Sequence, residues 1–299
     1  MNIRRWKLAI EGLVERRLDL TYQDLLRLPR IGAVVTSECA GNLPGGGMVG
    51  NAEWSGVSLA ALLKHAGIKR DAIEVILDGA DCGLDEGENV PVCYSRSIPL
   101  QKALARETLL ALDMNGKPLT SEHGYPLRAV VPGWYAMTNV KWVRRIEVTD
   151  RPFNGFYMSK RYFTAKRDAV TGELVIRRVA EMGIKSQIAR PRHGEVLKPR
   201  PYVIRGAAWT GAGRVERVEV STDGGKSWRL AMQGEQRAPY TWIFWEYPWE
   251  SPEIGQHTIL ARAFDDRGGI QPEAEDPERI NRYANRWIQH VGVEVSSAE

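Results

Sequence analysis

Two kinds of apolar spacing alternate along the first half of the chain. Apolar residues recur at helical spacing in TYQDLLRLP (21–29), where Thr21 is placed to cap the helix, and in SLAALLKHAG (58–67), which ends at Gly67. Runs rich in apolar and β-branched residues predict four strands, at 31–39, 72–79, 125–133 and 139–150. Candidate functional residues fall at the ends of these strands, where loops held by a rigid scaffold usually carry chemistry.

A different pattern begins at about residue 195. Short runs of alternating apolar and polar residues are separated by turn signals, which is typical of a β-sandwich. The runs are PYVIRGAAW, RVERVEVSTDGG, KSWRLAM, TWIFWEY, HTILARAFDDRGG and RWIQHVGVEV. Because the stretch between 165 and 195 has no clean periodicity, the sequence predicts an α+β domain over 1–175 and a sandwich over 176–299.

Composition places the chain among ordinary globular proteins. Of its 299 residues, 43% are hydrophobic and 26% are charged, and no apolar run approaches the ~20 residues that cross a bilayer. The first residues, MNIRRWKLAIEG, contain no apolar stretch of signal-peptide length, so we expect a cytoplasmic protein, or a periplasmic one if a precursor segment is missing. The net charge of +4 comes from scattered bases interleaved with acids, which argues against nucleic-acid binding.

The chain has three cysteines, Cys39, Cys82 and Cys93, which cannot all pair. A protein of this size does not need a disulfide to fold. The CxxC and HExxH patterns are absent and the five histidines are dispersed, which argues against a structural zinc site.

Three local patterns have ordinary structural explanations. Gly45, Gly47 and Gly50 satisfy GxGxxG, but a proline precedes them and no helix opening follows, so tight turning explains them better than a dinucleotide site. The pattern SxDxGxxW at 221–228 occurs once, which favours a hairpin turn over a propeller blade. The aromatic residues between 242 and 249 favour core or subunit packing over a ligand cage.

The most informative segment is SECAGN, residues 37–42. A lone cysteine is usually a small buried hydrophobe, but Cys39 lies where a predicted strand ends and a turn of small residues begins. Such a turn exposes the thiol and allows a bulky group to approach the backbone. A single thiolate is too little for zinc, and it suits a soft metal whose other ligands come from an organic cofactor.

SECAGN resembles the molybdenum-binding Cys-Ala-Gly-Asn segment of sulfite oxidases and plant nitrate reductases, and further matches follow in order. EWSGVSLAALLKHAG resembles the family's Trp-x-Gly-x-x-Leu helix. MNGKPLTSEHGYPLRAVVPGWYAMTNVKW resembles its Asn-Gly-x-Pro-Leu, His-Gly-(Tyr/Phe)-Pro-x-Arg and Val-Lys-Trp run, and RVEVSTDGGKSW and NRWIQHVGVEV resemble its immunoglobulin-like dimerisation domain. The resemblance to the sulfite oxidase family implies an α+β molybdopterin-binding domain, an immunoglobulin-like β-sandwich and a homodimer.

The resemblance also implies roles for individual residues. Cys39 corresponds to the thiolate ligand of molybdenum, and Tyr162 to an active-site tyrosine whose phenol donates to an oxyanion or relays a proton. By resemblance, the residues that bind the pterin are Asp81, His123, Arg128, Asn139, Val140 and Lys141. Arg128 is suited to grip a phosphate in a bidentate manner, and Lys141 to act as a point charge. The alternatives are a structural ion-pair cluster and an ordinary tyrosine at a strand end.

Two departures from the family bear on the substrate. Sulfite oxidases have a longer segment after Cys-Ala-Gly-Asn, with an arginine and a tryptophan, whereas this chain has LPGGGMVG and no arginine between Cys39 and Arg70. The family's upstream Arg-Asn-His segment has no counterpart in the chain. A site built for sulfite presents several fixed cationic donors, and fewer than expected are recognised here, so the identity of the substrate stays open.

We therefore expect a molybdenum-molybdopterin oxidoreductase, similar to sulfite oxidases and dehydrogenases, that couples oxygen-atom transfer to two-electron chemistry at the metal. The expected substrate is a small oxyanion or an S- or N-oxide. No haem domain is recognised, so an external cytochrome or another carrier is expected to take the electrons. Two alternatives remain, a reductase of an S-oxide, N-oxide or nitrate on the same cofactor, and a cofactor-free assembly protein.

Overall fold

The computed structural model describes residues 2–85, 87–168 and 170–297. The chain folds into two compact units. The first unit comprises Met1–Val35, Ala52–Ala165 and Glu173–Ala180, and the second comprises Thr36–Asn51, Lys166–Gly172 and Glu181–Glu299. The predicted division into 1–175 and 176–299 stays a prediction about domains, and the segment that contains Cys39 belongs to the second compact unit.

The first part of the chain mixes strands with short helices. In chain order its elements are β1 (Lys7–Gly12), β2 (Leu18–Thr21), α1 (Tyr22–Arg27), β3 (Arg30–Glu38), β4 (Val49–Ser58), α2 (Leu59–Ala66), β5 (Glu74–Asp85), β6 (Val90–Pro99), α3 (Leu100–Ala103), β7 (Leu109–Met114), β8 (Lys117–Pro118), β9 (Arg128–Val130), a 3-10 helix (Ala136–Thr138), β10 (Val143–Thr149), α4 (Phe156–Ser159), β11 (Phe163–Arg167) and β12 (Leu174–Arg178). One sheet has the order β2-β1-β10-β5-β6, another has β3-β4-β7-β8 with β9 paired to β7, and β11 pairs with β12.

Both predicted helices form, for the local reasons expected. Thr21 caps α1 in a reciprocal capping box, since its side chain accepts from the backbone N–H of Asp24 and the Asp24 carboxylate accepts from the backbone N–H of Thr21. Ser58 caps α2, which ends at Gly67 with a φ of 75°. The apolar face of α2 is buried in the main core of the first unit.

Two predicted strands are shorter than expected and one is longer. The run 125–133 is extended only over Arg128–Val130, because Pro126 and Pro132 have no N–H to donate to a ladder. The run 139–150 becomes a strand only at Val143, because Trp142 has a positive φ of 52°. The run 72–79 continues to Asp85, because β5 pairs with β6 along its length.

A disulfide joins Cys82 to Cys93 across the β5–β6 pair. The sequence does not predict it, because a separation of 11 residues does not indicate pairing until the strand register places the two cysteines opposite each other. Cys39 is the free cysteine.

The pairing predicts the result of a thiol titration. Denatured protein without reductant is expected to react with one equivalent of a thiol reagent, and with three after reduction, because only Cys39 starts as a thiol. Three reactive thiols before reduction would contradict the disulfide.

The second unit forms the predicted β-sandwich. Its strands are β13 (Lys185–Arg190), β14 (Val196–Leu197), β15 (Tyr202–Trp209), β16 (Val215–Ser221), β17 (Arg229–Leu230), β18 (Met232–Gln233), β19 (Ile243–Trp249), β20 (Gly255–Asp265) and β21 (His290–Val295). One sheet has the order β13-β15-β19-β18 and the other β14-β21-β20-β16-β17, and the two share one apolar core. The α+β fold with a following sandwich is thus confirmed.

The three local patterns lie in a loop, a turn and a strand of the structure. Strand β4 begins at Val49, so no helix opens at the glycine-rich loop. Ser221 donates to Asp223 at 2.7 Å within the turn between β16 and β17. Along β19, Trp245 is buried in the sandwich core whereas its neighbour Phe244 is 64% exposed, as strand alternation requires.

Across the described ranges, no helix has the length and apolar character needed to span a membrane.

Candidate cofactor site

The turn that carries Cys39 begins where β3 ends. The backbone N–H of Cys39 donates to the carbonyl of Met48 at 2.9 Å, and its carbonyl accepts from the N–H of Asn42 at 2.9 Å. The next carbonyl along the chain, that of Ala40, accepts from the N–H of Ala284 at 2.7 Å. The backbone of the turn is therefore held by hydrogen bonds, while the thiol is partly exposed and free of a disulfide.

A buried ion pair lies at the base of this turn. Glu38 and Lys185 have side chains that are each only 1% exposed, with Lys185 Nζ 2.7 Å from Glu38 Oε1. Lys185 also donates to the carbonyl of Asn42 at 3.0 Å, and the Asn42 amide donates to Glu38 Oε1 at 3.0 Å. The indole of Trp209 donates to Glu38 Oε2 at 2.9 Å. Both carboxylate oxygens thus have partners, and the network links the two ends of the turn.

This network is not evident from the sequence. Lys185 is 147 residues from Glu38 in the chain, and it lies in the stretch between 165 and 195 where the sequence shows no clean periodicity. The available signal was a glutamate directly before the cysteine, at a strand position that is fully buried.

Asp81 lies near the backbone of Lys141, just before β10 begins at Val143. Gly79 pairs with Val143, and a Cβ at Gly79 would lie 2.2 Å from Asp81 Oδ1 and 3.0 Å from the carbonyl oxygen of Lys141. Glycine is therefore required for this close approach. Asp81 is exposed, but adjacent protein atoms remove part of its hydration and raise the pKa of its carboxyl above the ordinary value, while the charges of Lys141 and Arg144 act in the opposite direction.

The loop 120–124 brings together three of the predicted pterin-binding residues. The exposed ring of His123 has its Nδ1 2.8 Å from the hydroxyl of Thr120. Arg128 Nη1 donates to the carbonyl of His123 at 3.3 Å, and Lys141 Nζ donates to the carbonyl of Glu122 at 3.1 Å. The side chains of Arg128 and Lys141 thus bond neutral carbonyl oxygens of the same loop.

Arg128 is a largely buried cation without an acidic partner among the described residues. Its Cζ lies 4.8 Å from the ring centroid of Trp54, and its Nε is buried without a hydrogen bond. Burial lowers the pKa of Arg128 to about 10. The alternative of a structural ion pair at Arg128 is thus not seen in the described part of the chain, and the charge is left available to an anion.

Asn139 and Val140 connect the 3-10 helix to β10 and are both buried. Asn139 Oδ1 accepts from the N–H of Val131 at 2.8 Å. The N–H of Val140 donates to Thr138 and its carbonyl accepts from Ala129, at 2.9 and 2.8 Å. Both backbone groups of Val140 have protein partners, and the expected pterin contacts of this segment stay a prediction.

Tyr162 is half-buried and follows α4. It has a φ of 53°, in the left-handed region that a non-glycine residue adopts only at a cost. Its carbonyl accepts from the N–H of Val179 at 2.9 Å. Its ring centroid lies 6.4 Å from that of Tyr157 and 5.5 Å from Cζ of Arg96.

Arg96 is a further candidate functional residue, and the sequence alone does not reveal it. Its side chain is buried, and its guanidinium donates to the carbonyls of Tyr157 and Val179. It lies in β6 within YSRSIPL, where the sequence alone does not reveal which face of the strand is buried. The pKa of the adjacent Tyr94 phenol is raised strongly, mainly by burial.

The predicted site residues are divided between the two units. Asp81, His123, Arg128, Asn139, Val140, Lys141 and Tyr162 lie in the first unit. Cys39 lies in the segment Thr36–Asn51 of the second unit. Their individual roles stay predictions.

Two family models match the chain. The model of the oxidoreductase molybdopterin binding domain matches residues 1–157, and that of the Mo-co oxidoreductase dimerisation domain matches residues 177–294.

Known proteins are similar over most of the chain. Mitochondrial sulfite oxidase of Homo sapiens is 33% identical over 294 residues, which cover 87% of this chain and 52% of that protein. The NADPH nitrate reductase of Aspergillus niger is 32% identical over 343 residues, which cover 96% of this chain and 39% of that protein. The chain thus spans about half or less of the length of these curated relatives. The solved structure of the sulfane dehydrogenase SoxCD from Paracoccus pantotrophus is 32% identical, with a TM-score of 0.83, and covers 100% of this chain and 79% of that one.

Proposed function

Because this chain belongs to the sulfite oxidase family of molybdopterin-binding oxidoreductases, we propose that it is a molybdenum-cofactor enzyme that oxidises a small substrate by oxygen-atom transfer. The observation that carries the proposal is Arg128, whose largely buried guanidinium has no acidic partner among the described residues. A cation in such surroundings is stabilised by an anion, and the phosphate of molybdopterin supplies one.

The residues present fit this cofactor. Arg128 has a buried Nε without a partner. Lys141 has three N–H donors, one of which bonds the carbonyl of Glu122, and the exposed His123 has a second ring nitrogen besides the one that bonds Thr120. We assign these three side chains to the anionic part of the cofactor, and Asp81, with the backbone around Asn139 and Val140, to the pterin. When bound, the molybdenum centre supplies oxygen-atom transfer and two-electron redox chemistry.

Two residues are assigned to the metal and the substrate. Cys39 would supply the thiolate ligand, and because hydrogen bonds already hold the backbone of its turn, ligation would require no further ordering of that backbone. Tyr162 donates from its phenol to a substrate oxygen and holds or moves a proton there.

Substitution of Arg128 tests the cofactor assignment. Arg128→Met is expected to lower the molybdopterin and molybdenum content of purified protein by roughly tenfold or more, because charge-assisted hydrogen bonds are worth about 1.5–3 kcal/mol. Arg128→Lys is expected to retain an intermediate content, since a point charge remains without the planar fork. Metal analysis and the fluorescence of the oxidised pterin after denaturation measure both.

A matched control is available in the same unit. Arg145 is also partly buried, but it pairs with Glu11, Asp78 and Glu147. Arg145→Met is expected to keep its full cofactor content. Full content in Arg128→Met, or an equal loss in the control, would contradict the assignment, and wild-type protein without molybdenum or pterin would favour a cofactor-free assembly protein.

A second candidate is reduction on the same cofactor. It is favoured by the similarity to the nitrate reductase of Aspergillus niger over 96% of the chain. A screen with redox dyes separates the two directions, using an oxidised dye with sulfite and a reduced dye with nitrate, S-oxides and N-oxides. Turnover confined to the reduced dye would replace the oxidase assignment.

The proposal extends to assembly, electron transfer and location. We propose a homodimer formed through the sandwich, which the match to a dimerisation domain supports, and an external cytochrome or similar carrier as the electron acceptor. The Cys82–Cys93 disulfide supports an oxidising compartment such as the periplasm rather than the cytoplasm.

A further inference from the structure

We propose that Arg96 is a positioning residue for Tyr162, and that its uncancelled charge makes the substrate an anion rather than a neutral S- or N-oxide. This inference rests on the proposed function and specifies its substrate class. Arg96 is only 1% exposed, and every hydrogen bond that its side chain makes in the described residues goes to a neutral carbonyl oxygen. It therefore supplies the kind of fixed cation that the segment after Cys39 lacks.

Arg96 holds Tyr162 through one intervening residue. Arg96 Nη2 donates to the carbonyl of Val179 at 3.3 Å, and the N–H of Val179 donates to the carbonyl of Tyr162 at 2.9 Å. Arg96 Nη1 donates to the carbonyl of Tyr157, at the start of the segment that leads to Tyr162. The left-handed φ of 53° at Tyr162 requires support from its surroundings, and these bonds provide it.

The charge of Arg96 is not neutralised by its neighbours. Its Cζ lies 5.5 Å from the ring centroid of Tyr162, and its Nε is buried without a hydrogen bond. The titratable groups that influence it are Tyr94, Tyr162 and Arg178, and none of them is a carboxylate. A positive charge in surroundings of low dielectric constant stabilises a nearby anion far more than it would in water.

Arg178 provides a matched control. Like Arg96, Arg178 donates to a backbone carbonyl, that of Phe153 at 2.8 Å, although its side chain is only partly buried. Unlike Arg96, it forms an ion pair with Glu74 at 3.2 Å. Its charge is offset by that carboxylate, although it still acts weakly on Arg96, so its removal reports mainly on structural support.

The experiment uses the cofactor-loaded enzyme and three variants, Arg96→Met, Arg96→Lys and Arg178→Met. Two substrates of different charge, sulfite and dimethyl sulfoxide, are compared for kcat and KM, together with the inhibition constant of sulfate. Arg96→Met is expected to raise both the sulfite KM and the sulfate inhibition constant by roughly tenfold or more, at unchanged molybdenum content. Arg96→Lys is expected to keep both within about threefold but to lower kcat, because a lysine keeps the charge but does not reproduce the planar, widely spaced donors with which the guanidinium bonds the carbonyls of Tyr157 and Val179. Arg178→Met is expected to change neither the sulfite KM nor the sulfate inhibition constant.

Sulfate binding gives a readout that does not depend on turnover. Sulfate is expected to raise the melting temperature of the wild-type protein and of Arg96→Lys, but not of Arg96→Met. If Arg96→Met does not fold, Arg96→Gln, which keeps hydrogen bonding without charge, takes its place. Unchanged sulfate inhibition in the uncharged variant, or an equal rise in KM for sulfite and dimethyl sulfoxide, would overturn the inference. A wild-type protein without molybdenum would instead overturn the proposed function.

Discussion

Cys39→Ser is expected to abolish turnover while the protein still folds. The oxygen of serine is a harder ligand than a thiolate and does not replace it on a soft metal centre that is otherwise bound by sulfur. The loss should reach roughly a thousandfold or more, as when an essential group is removed from a catalytic site. Because Cys39 is partly exposed and its turn is held by backbone hydrogen bonds, the melting temperature should change by no more than about 2 °C.

Three measurements check this expectation. Turnover and the sulfur-to-metal absorption band should both disappear, and the melting temperature should be retained. The double variant Cys82→Ser/Cys93→Ser is the control, since it removes two sulfur atoms but leaves Cys39 in place. It should keep both turnover and the absorption band. Unchanged activity in Cys39→Ser would exclude the proposed metal ligand.

Lys185→Met is expected to destabilise the second unit by about 3–5 kcal/mol. The substitution leaves the Glu38 carboxylate buried without its cation, and the remaining donors, Asn42 and Trp209, are neutral. The double variant Glu38→Gln/Lys185→Met should recover most of this loss, because no charge then stays buried. Urea unfolding of the cofactor-free proteins measures the difference in free energy of unfolding.

The same substitution should also loosen the turn around Cys39, because Lys185 holds the carbonyl of Asn42 as well as Glu38. With the other two cysteines in a disulfide, alkylation by iodoacetamide reports on Cys39 alone and should be faster in Lys185→Met. Lys166→Met is the control, since this exposed lysine pairs with Asp276 and Glu278 at the surface. It should cost no more than about 1 kcal/mol and leave the alkylation rate unchanged. Equal effects of the two lysine substitutions would refute a special role for the buried pair.

The family could be recognised from the sequence because its motifs are short and follow one another in the family's order along the chain. The turn that follows Glu38, the histidine and arginine around residue 125, and the sandwich strands each occupy short windows, and the two family models then matched the same regions. The substrate class could not be predicted from the sequence in the same way. The cation that Arg96 supplies is recognisable only when its burial and the absence of an acidic partner among the described residues are known.

The sequence by itself determined the features that depend on interactions between residues close together in the chain. The capping box of Thr21 and Asp24 and the cap of α2 at Ser58 join groups three residues apart, so composition and spacing suffice to predict both helices. Strand alternation likewise predicts which side chains of β19 face the sandwich core. The position of Cys39 at the end of a strand belongs to the same class of local information.

Only the tertiary structure decided the contacts that join distant parts of the chain. Lys185 bonds Glu38, which is 147 residues away in the chain, and Arg96 bonds Val179, which is 83 residues away. In the sequence, neither residue can be distinguished from an ordinary surface lysine or arginine. Pairing of β5 with β6 turned Cys82 and Cys93 into a disulfide. The physical reason is that whether a charge is desolvated, and whether it is neutralised, depends on which distant groups surround it, and a linear sequence does not contain that information explicitly.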